Sequence, residues 1–105
     1  MTNENNIEII YEYVNISASE RLEKLIEEKL ETIKERYPFV IRGDVFLKLD
    51  NKDFGSKHHC GIRLSAPGPR LYASSDESDF EIAINETIRD LKDQLEKRKA
   101  KMTTY

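Results

Sequence analysis

The chain has 105 residues, enough for one domain with a single core. An apolar fraction of 38% and a charged fraction of 35% suit a small globular protein with heavily charged helix surfaces. A net charge of −3 excludes a globally basic nucleic-acid binder, so any polyanion site has to be local, made by segregating charge. No apolar run is long enough to span a bilayer, and polar residues 1–6 lack a signal-peptide core. A lone Cys60 has no internal disulfide partner, so the expected setting is the reducing cytoplasm.

In chain order, Ile7, Ile9 and Tyr11 alternate with Glu8 and Glu12, with Ile10 out of phase. This pattern predicts a first strand over about residues 7–13, continued as extended chain by Val14 and Ile16. Ser17 and Glu20 have the spacing of a capping box. Leu22, Leu25, Ile26, Leu30, Ile33 and Tyr37 then recur at helical spacing, predicting a first helix over residues 18–36 that Pro38 stops. Its other face mixes signs in pairs such as Glu20–Lys24 and Lys24–Glu28, which is the pattern of a solvated surface.

Val45, Leu47 and Leu49 alternate with Phe46, Lys48 and Asp50 in a predicted strand over residues 40–50. Residues 51–57 form a polar stretch with Gly55, predicted as a loop. Cys60, Ile62, Leu64 and Ala66 alternate with Gly61, Arg63 and Ser65 in a third strand. Pro67-Gly68-Pro69 predicts a tight reversal into a fourth strand over residues 70–75, with Leu71 and Ala73 on one face. By parity, Phe46, Lys48, His59, Arg63 and Tyr72 point away from the core.

The last stretch, residues 79–102, organises the rest. Phe80, Ile84, Ile88, Leu91 and Leu95 mark one helix face. Ser78 is the predicted N-cap, and Asp76, Glu77, Asp79 and Glu81 supply negative charge at that end. The far end carries Lys97, Arg98, Lys99 and Lys101, preceded by Arg89 and Lys92 and opposed by Asp90, Asp93 and Glu96. Matching the helix dipole needs only one or two bases in the last turn. The surplus makes this tip a candidate polyanion contact, with dipole matching as the plain alternative. The order is β-α-β-β-β-α, an α+β fold. Two amphipathic helices packed on one face of a four-stranded sheet would leave its other face to solvent.

Catalytic and metal chemistry find little support. His58-His59-Cys60 is the only cluster of metal-ligand side chains, but strand alternation sends His59 opposite to its neighbours. Cys60 falls on the inward parity, where a thiol is inert. The serines near residues 74–78 fit a strand end and a helix cap. No enzyme activity, cofactor or small-molecule substrate is expected. Phe46 and Tyr72 beside Lys48 and Arg63 are a candidate base-stacking surface, or an ordinary open sheet face. Two function classes remain open from the residues alone: an RNA-binding module using the cationic tip, and a protein–protein adaptor.

The run Ala83-Ile84, Leu91, Gln94-Leu95, Lys97, Lys99 and Lys101, after Ser78-Asp79-Phe80, resembles the second helix of a family of ribosome hibernation factors. This is the hibernation-promoting factor and ribosome-associated inhibitor A family, also called sigma-54 modulation proteins. Ile16-Ser17 with Glu28-Lys29-Leu30 is similar to its first helix. Asp44 to Leu49 is similar to its second strand, and Pro67-Gly68 with Leu71-Tyr72-Ala73 to the hairpin of its third and fourth strands. The likeness covers roughly residues 7–102.

It implies a double-stranded-RNA-binding-domain-like fold spanning residues 1–105 as one ribosome-binding domain. It also implies a non-enzymatic factor that binds small-subunit rRNA in the channel of mRNA and of A- and P-site tRNA, during stationary phase or stress. Carried over by position, Lys29, Lys97, Lys99 and Lys101 are the implied rRNA contacts, with Arg89, Lys92 and Arg98 as further candidates. The chain departs from the family at Asp90, Asp93 and Thr32, where basic residues are common, so its patch is thinner. Ending at Tyr105, it is most similar to the short hibernation-promoting form, expected to be a monomer off the ribosome.

Overall fold

The computed structural model describes residues 7–52 and 55–102. The elements follow the expected order: β1 (Glu8–Val14), α1 (Glu20–Arg36), β2 (Arg42–Lys52), β3 (Gly55–Ser65), β4 (Leu71–Glu77) and α2 (Phe80–Met102). The strands form one sheet in the order β1-β2-β3-β4. β1 pairs β2 in parallel, from Glu8 with Arg42 to Val14 with Lys48, and the other two pairings are antiparallel.

These directions determine how the helices lie. β1, β2 and β4 run one way, and each helix follows one of them and returns across the sheet. The helices are therefore parallel to each other. Two ion pairs link them in register: Arg21 with Glu81 at 2.9 Å near their starts, and Arg36 with Glu96 at 3.2 Å near their ends. Both pairs are exposed, so they contribute little stability. The packing beneath them does more. Ile26, Leu30 and Ile33 of α1 and Ile84, Leu91 and Leu95 of α2 are buried against Val45, Leu47, Cys60, Ile62 and Leu64 of the sheet. Deleting any one of these large side chains would be expected to cost about 2–5 kcal/mol.

Local chemistry corrects several boundaries. The N-cap of α1 is Ser19, whose hydroxyl accepts from Leu22 N–H at 3.3 Å, and not Ser17. Tyr13 explains the shift: its hydroxyl accepts from Ser19 N–H at 3.3 Å, pinning the start of the helix to β1. The expected loop at 51–57 is mostly strand, since β2 runs to Lys52 and β3 resumes at Gly55; residues 53–54 lie outside those described. An antiparallel ladder satisfies its own backbone groups and so can continue past the core with polar residues.

β4 likewise runs to Glu77, where Asp76 pairs with His59 and Glu77 with His58. Asp76 and Glu77 thus belong to the strand, and the carboxylate that accepts from Ile82 N–H at 2.9 Å at the start of α2 is Asp79, not Ser78. The reversal between β3 and β4 is as expected. Gly68 sits at φ +94°, a backbone region that a side chain would strain.

The core holds several protons firmly. Burial pushes the Cys60 thiol up from 9.0 to about 11. Burial and the neighbouring Glu23 carboxylate raise Tyr11 well above its ordinary value. Burial and a hydrogen bond to Glu23 raise Tyr13, and burial and a hydrogen bond to Glu96 raise Tyr37. Each group binds its proton more tightly folded than unfolded. Its stabilising effect is therefore complete below the unfolded value and fades as pH rises toward the folded one. Urea midpoints should hold up to about pH 9 and then decline steadily. Cys60→Ala should flatten the part of the decline between 9.0 and about 11. Midpoints that do not change across this range would contradict the assignment.

Candidate nucleic-acid interface

Parallel helices place both C-terminal ends together. Lys34 and Arg36 close α1, and Lys97, Arg98, Lys99 and Lys101 close α2. The β3–β4 turn lies at the same end, because Arg98 donates to Pro67 O and to Pro69 O, both at 2.8 Å. The opposite end of the helix pair carries the acids of the first turns, Glu20, Glu23 and Glu81, with the capping Asp79. A chain of net charge −3 thus has one cationic end.

The seven residues expected from the sequence have different local roles. Lys97 and Lys101 lie one turn apart on the side of α2 toward β4, lining a shallow cleft with Leu71 and Gln94. Both are exposed, and among the described residues neither has a carboxylate or carbonyl partner. Arg98 is held by the turn carbonyls, which makes it a clamp between α2 and the hairpin. Lys99 stands 5.9 Å from the centre of the Tyr37 ring, a cation–π distance. Arg89 reaches Glu86 at 3.7 Å. Lys92 borders the groove between the helices, where Asp93 and Glu96 offset its charge. Half-buried Lys29 is seven residues before Arg36, on the side of α1 turned toward α2.

Sequence reasoning overlooked Lys34 and Arg36 as members of this end. The basic last turn of α1 was visible in the sequence, but only the parallel packing brings it beside α2. Lys34 ties down the segment between α1 and β2, donating to Pro38 O at 2.8 Å and Val40 O at 2.5 Å. Arg36 pairs with Glu96, and the hydrogen bonds from Tyr37 and Arg36 hold the Glu96 carboxyl below its usual range. The end therefore divides into cations that brace the fold and cations that face solvent. No group of His, Cys, Asp and Glu among the described residues has the arrangement of a metal site. His59 points away from the core to Asp76 at 2.9 Å, while His58 meets the Phe80 ring edge-on at 4.8 Å.

This division predicts opposite effects on folding. Arg98→Gln should lower the melting temperature, because two turn carbonyls lose a charged donor. Lys97→Gln and Lys101→Gln should leave it nearly unchanged. Thermal melts of the three variants check this, and equal losses in all three would contradict it.

No helix among the described residues is long and apolar enough to cross a membrane. No curated protein matches the sequence. Several solved structures share the fold, two of them as follows. A ribosomal subunit interface protein from Coxiella burnetii is 20% identical, with a TM-score of 0.77 over 90% of this chain and 99% of that one. The N-terminal domain of Protein Y from Thermus thermophilus is 22% identical, with a TM-score of 0.73 over 88% of this chain and 97% of that one. The model of the family described as sigma 54 modulation protein / S30EA ribosomal protein matches residues 9–103. With nearly the whole chain matched and the β-α-β-β-β-α fold in place, the protein belongs to this family of ribosome-associated, non-enzymatic factors.

Proposed function

We propose that this protein binds the small ribosomal subunit in the channel used by mRNA and by A- and P-site tRNA, holding ribosomes idle in stationary phase or stress. Its contacts are with rRNA phosphates, made by the cationic end of the helix pair. Lys97 and Lys101 are the primary contacts, with Lys99, Lys92, Arg89 and Lys29 around them and Arg98 fixing the platform. Off the ribosome it is a monomer in the cytoplasm, and it needs no cofactor. The observation that carries this reading is the pair of exposed lysines that, among the described residues, have no carboxylate or carbonyl partner, at the cationic end of an acidic chain. Family membership supports the ribosome as the partner. Phosphate chemistry supports the position of the contact, because a flexible ammonium facing solvent can replace the counterions of an RNA backbone.

Co-sedimentation with purified small subunits tests the reading. The protein should travel with them at low salt and be released as salt rises. Lys97→Gln and Lys101→Gln should each lower the slope of log affinity against log salt by about 0.7–0.9. Lys24, exposed on α1 between Glu20 and Glu28, is the control and should have no effect. Protein that stays at the top of the gradient with subunits in excess would favour a protein–protein adaptor instead. A Lys24→Gln effect equal to that of Lys97→Gln would mean that the attraction is diffuse and the site is elsewhere.

A further inference from the structure

The sheet face turned away from the helices has its own organisation. Register places four rows across it, and one row reads Ile10, Asp44, Arg63 and Tyr72 from β1 to β4. Asp44 and Arg63 are cross-strand neighbours in that row. Asp44 is engaged by Arg42 at 2.9 Å on the β2 side. On the β3–β4 side, neither Arg63 nor Arg70 has a carboxylate partner among the described residues. Both line a cleft of about 310 Å³ beside Phe46, where with Arg42 they outnumber the carboxylates of Glu12 and Asp44.

Tyr72 adds a second, independent feature. It is 47% exposed. The ring does not stand up into solvent. It pairs with Arg63 in register, yet its hydroxyl lies over Gly61, two residues before Arg63 on β3. A Cβ at Gly61 would come within 2.7 Å of that hydroxyl. The missing side chain at Gly61 therefore lets the Tyr72 ring recline along the sheet with one face open. A ring held flat on a sheet, beside arginines that make no ion pair among the described residues, is a platform for an unpaired base and its phosphates.

We infer that the β3–β4 half of the open sheet face is a second RNA-binding surface, specific for single strands. Tyr72 stacks a base, and Arg63 and Arg70 hold the neighbouring phosphates. Duplex RNA does not fit this use of the ring, because its bases are already stacked on one another. Arg70 directly precedes β4, next to the turn clamped by Arg98, so this surface meets the cationic helix end around one edge of the molecule. The surface stands independently of the helix-end contact, which lies on the opposite face of the sheet.

The test uses the full chain and a labelled oligouridylate, followed by fluorescence anisotropy at low salt, with an RNA duplex of equal length beside it. The oligouridylate should bind more tightly than the duplex. Tyr72→Ala should weaken it roughly tenfold or more, and Tyr72→Phe should bind like the unaltered protein, since the ring is kept. Gly61→Ala keeps Tyr72 but displaces it, and should weaken binding several-fold with little change in melting temperature, because the group that has to move is the end of a side chain. Arg63→Gln and Arg70→Gln should each lower the salt slope by about 0.7. Lys24→Gln should leave oligouridylate binding in place, and Tyr72→Ala should leave the salt slope of small-subunit binding unchanged, which separates this surface from the helix end. Three results would overturn the inference: Tyr72→Ala and Gly61→Ala binding normally, the duplex binding as tightly as the single strand, or an oligoglutamate peptide binding more tightly than either RNA.

Discussion

Because β1 and β2 pair in parallel, the chain has to cross the whole sheet between them, and α1 is that crossover. The next two strands reverse twice, so β4 ends pointing the same way as β1, and α2 must return in the direction α1 took. Parallel helices follow from strand directions alone, before any helix–helix contact is considered. The links from Arg21 to Glu81 and from Arg36 to Glu96 keep the two helices in step. An antiparallel β1 would have reversed α1 relative to α2, placing the basic turn of one helix beside the acidic turn of the other.

Charge polarity is the functional consequence. Each helix, taken alone, has acids at its start and bases at its end, the arrangement its dipole favours. Aligned side by side, the two patterns reinforce each other and concentrate cations at one end of an acidic protein. The structure then sorts those cations. Lys34, Arg36 and Arg98 satisfy carbonyls or a carboxylate and hold the end rigid. Lys97 and Lys101 remain directed to solvent. A surface fixed in this way would require little side-chain ordering to receive a phosphate.

Much of this was legible in the residues, because helices and half-buried strands write their periods into a sequence. The apolar spacing of α2 and the alternation of β2 and β3 placed the core residues correctly, Cys60 inside and Arg63 and Tyr72 outside. The misplaced boundaries share a cause. Polar residues at element ends have no burial period, so a tertiary contact decides them. Tyr13 selects Ser19 over Ser17 as a cap, and cross-strand pairing with β3 draws Asp76 and Glu77 into β4. The site showed the same limit. The sequence shows which residues are basic, but not that Arg98 faces two carbonyls or that Arg36 sits beside Glu96. The platform made by Gly61 and Tyr72 is likewise a cross-strand relation that no linear pattern records.

The central claim is that the shared C-terminal end of the two helices faces rRNA. Directed cleavage tests it directly. The only native thiol, Cys60, is buried, so a cysteine placed at the surface takes a tethered iron chelate selectively. Chelate on Lys97→Cys should cut small-subunit rRNA at a compact set of nucleotides when radicals are generated in the complex. Chelate on Glu20→Cys, at the far end of α1, should cut weakly or elsewhere. Equal cutting from both positions, or stronger cutting from position 20, would contradict the account.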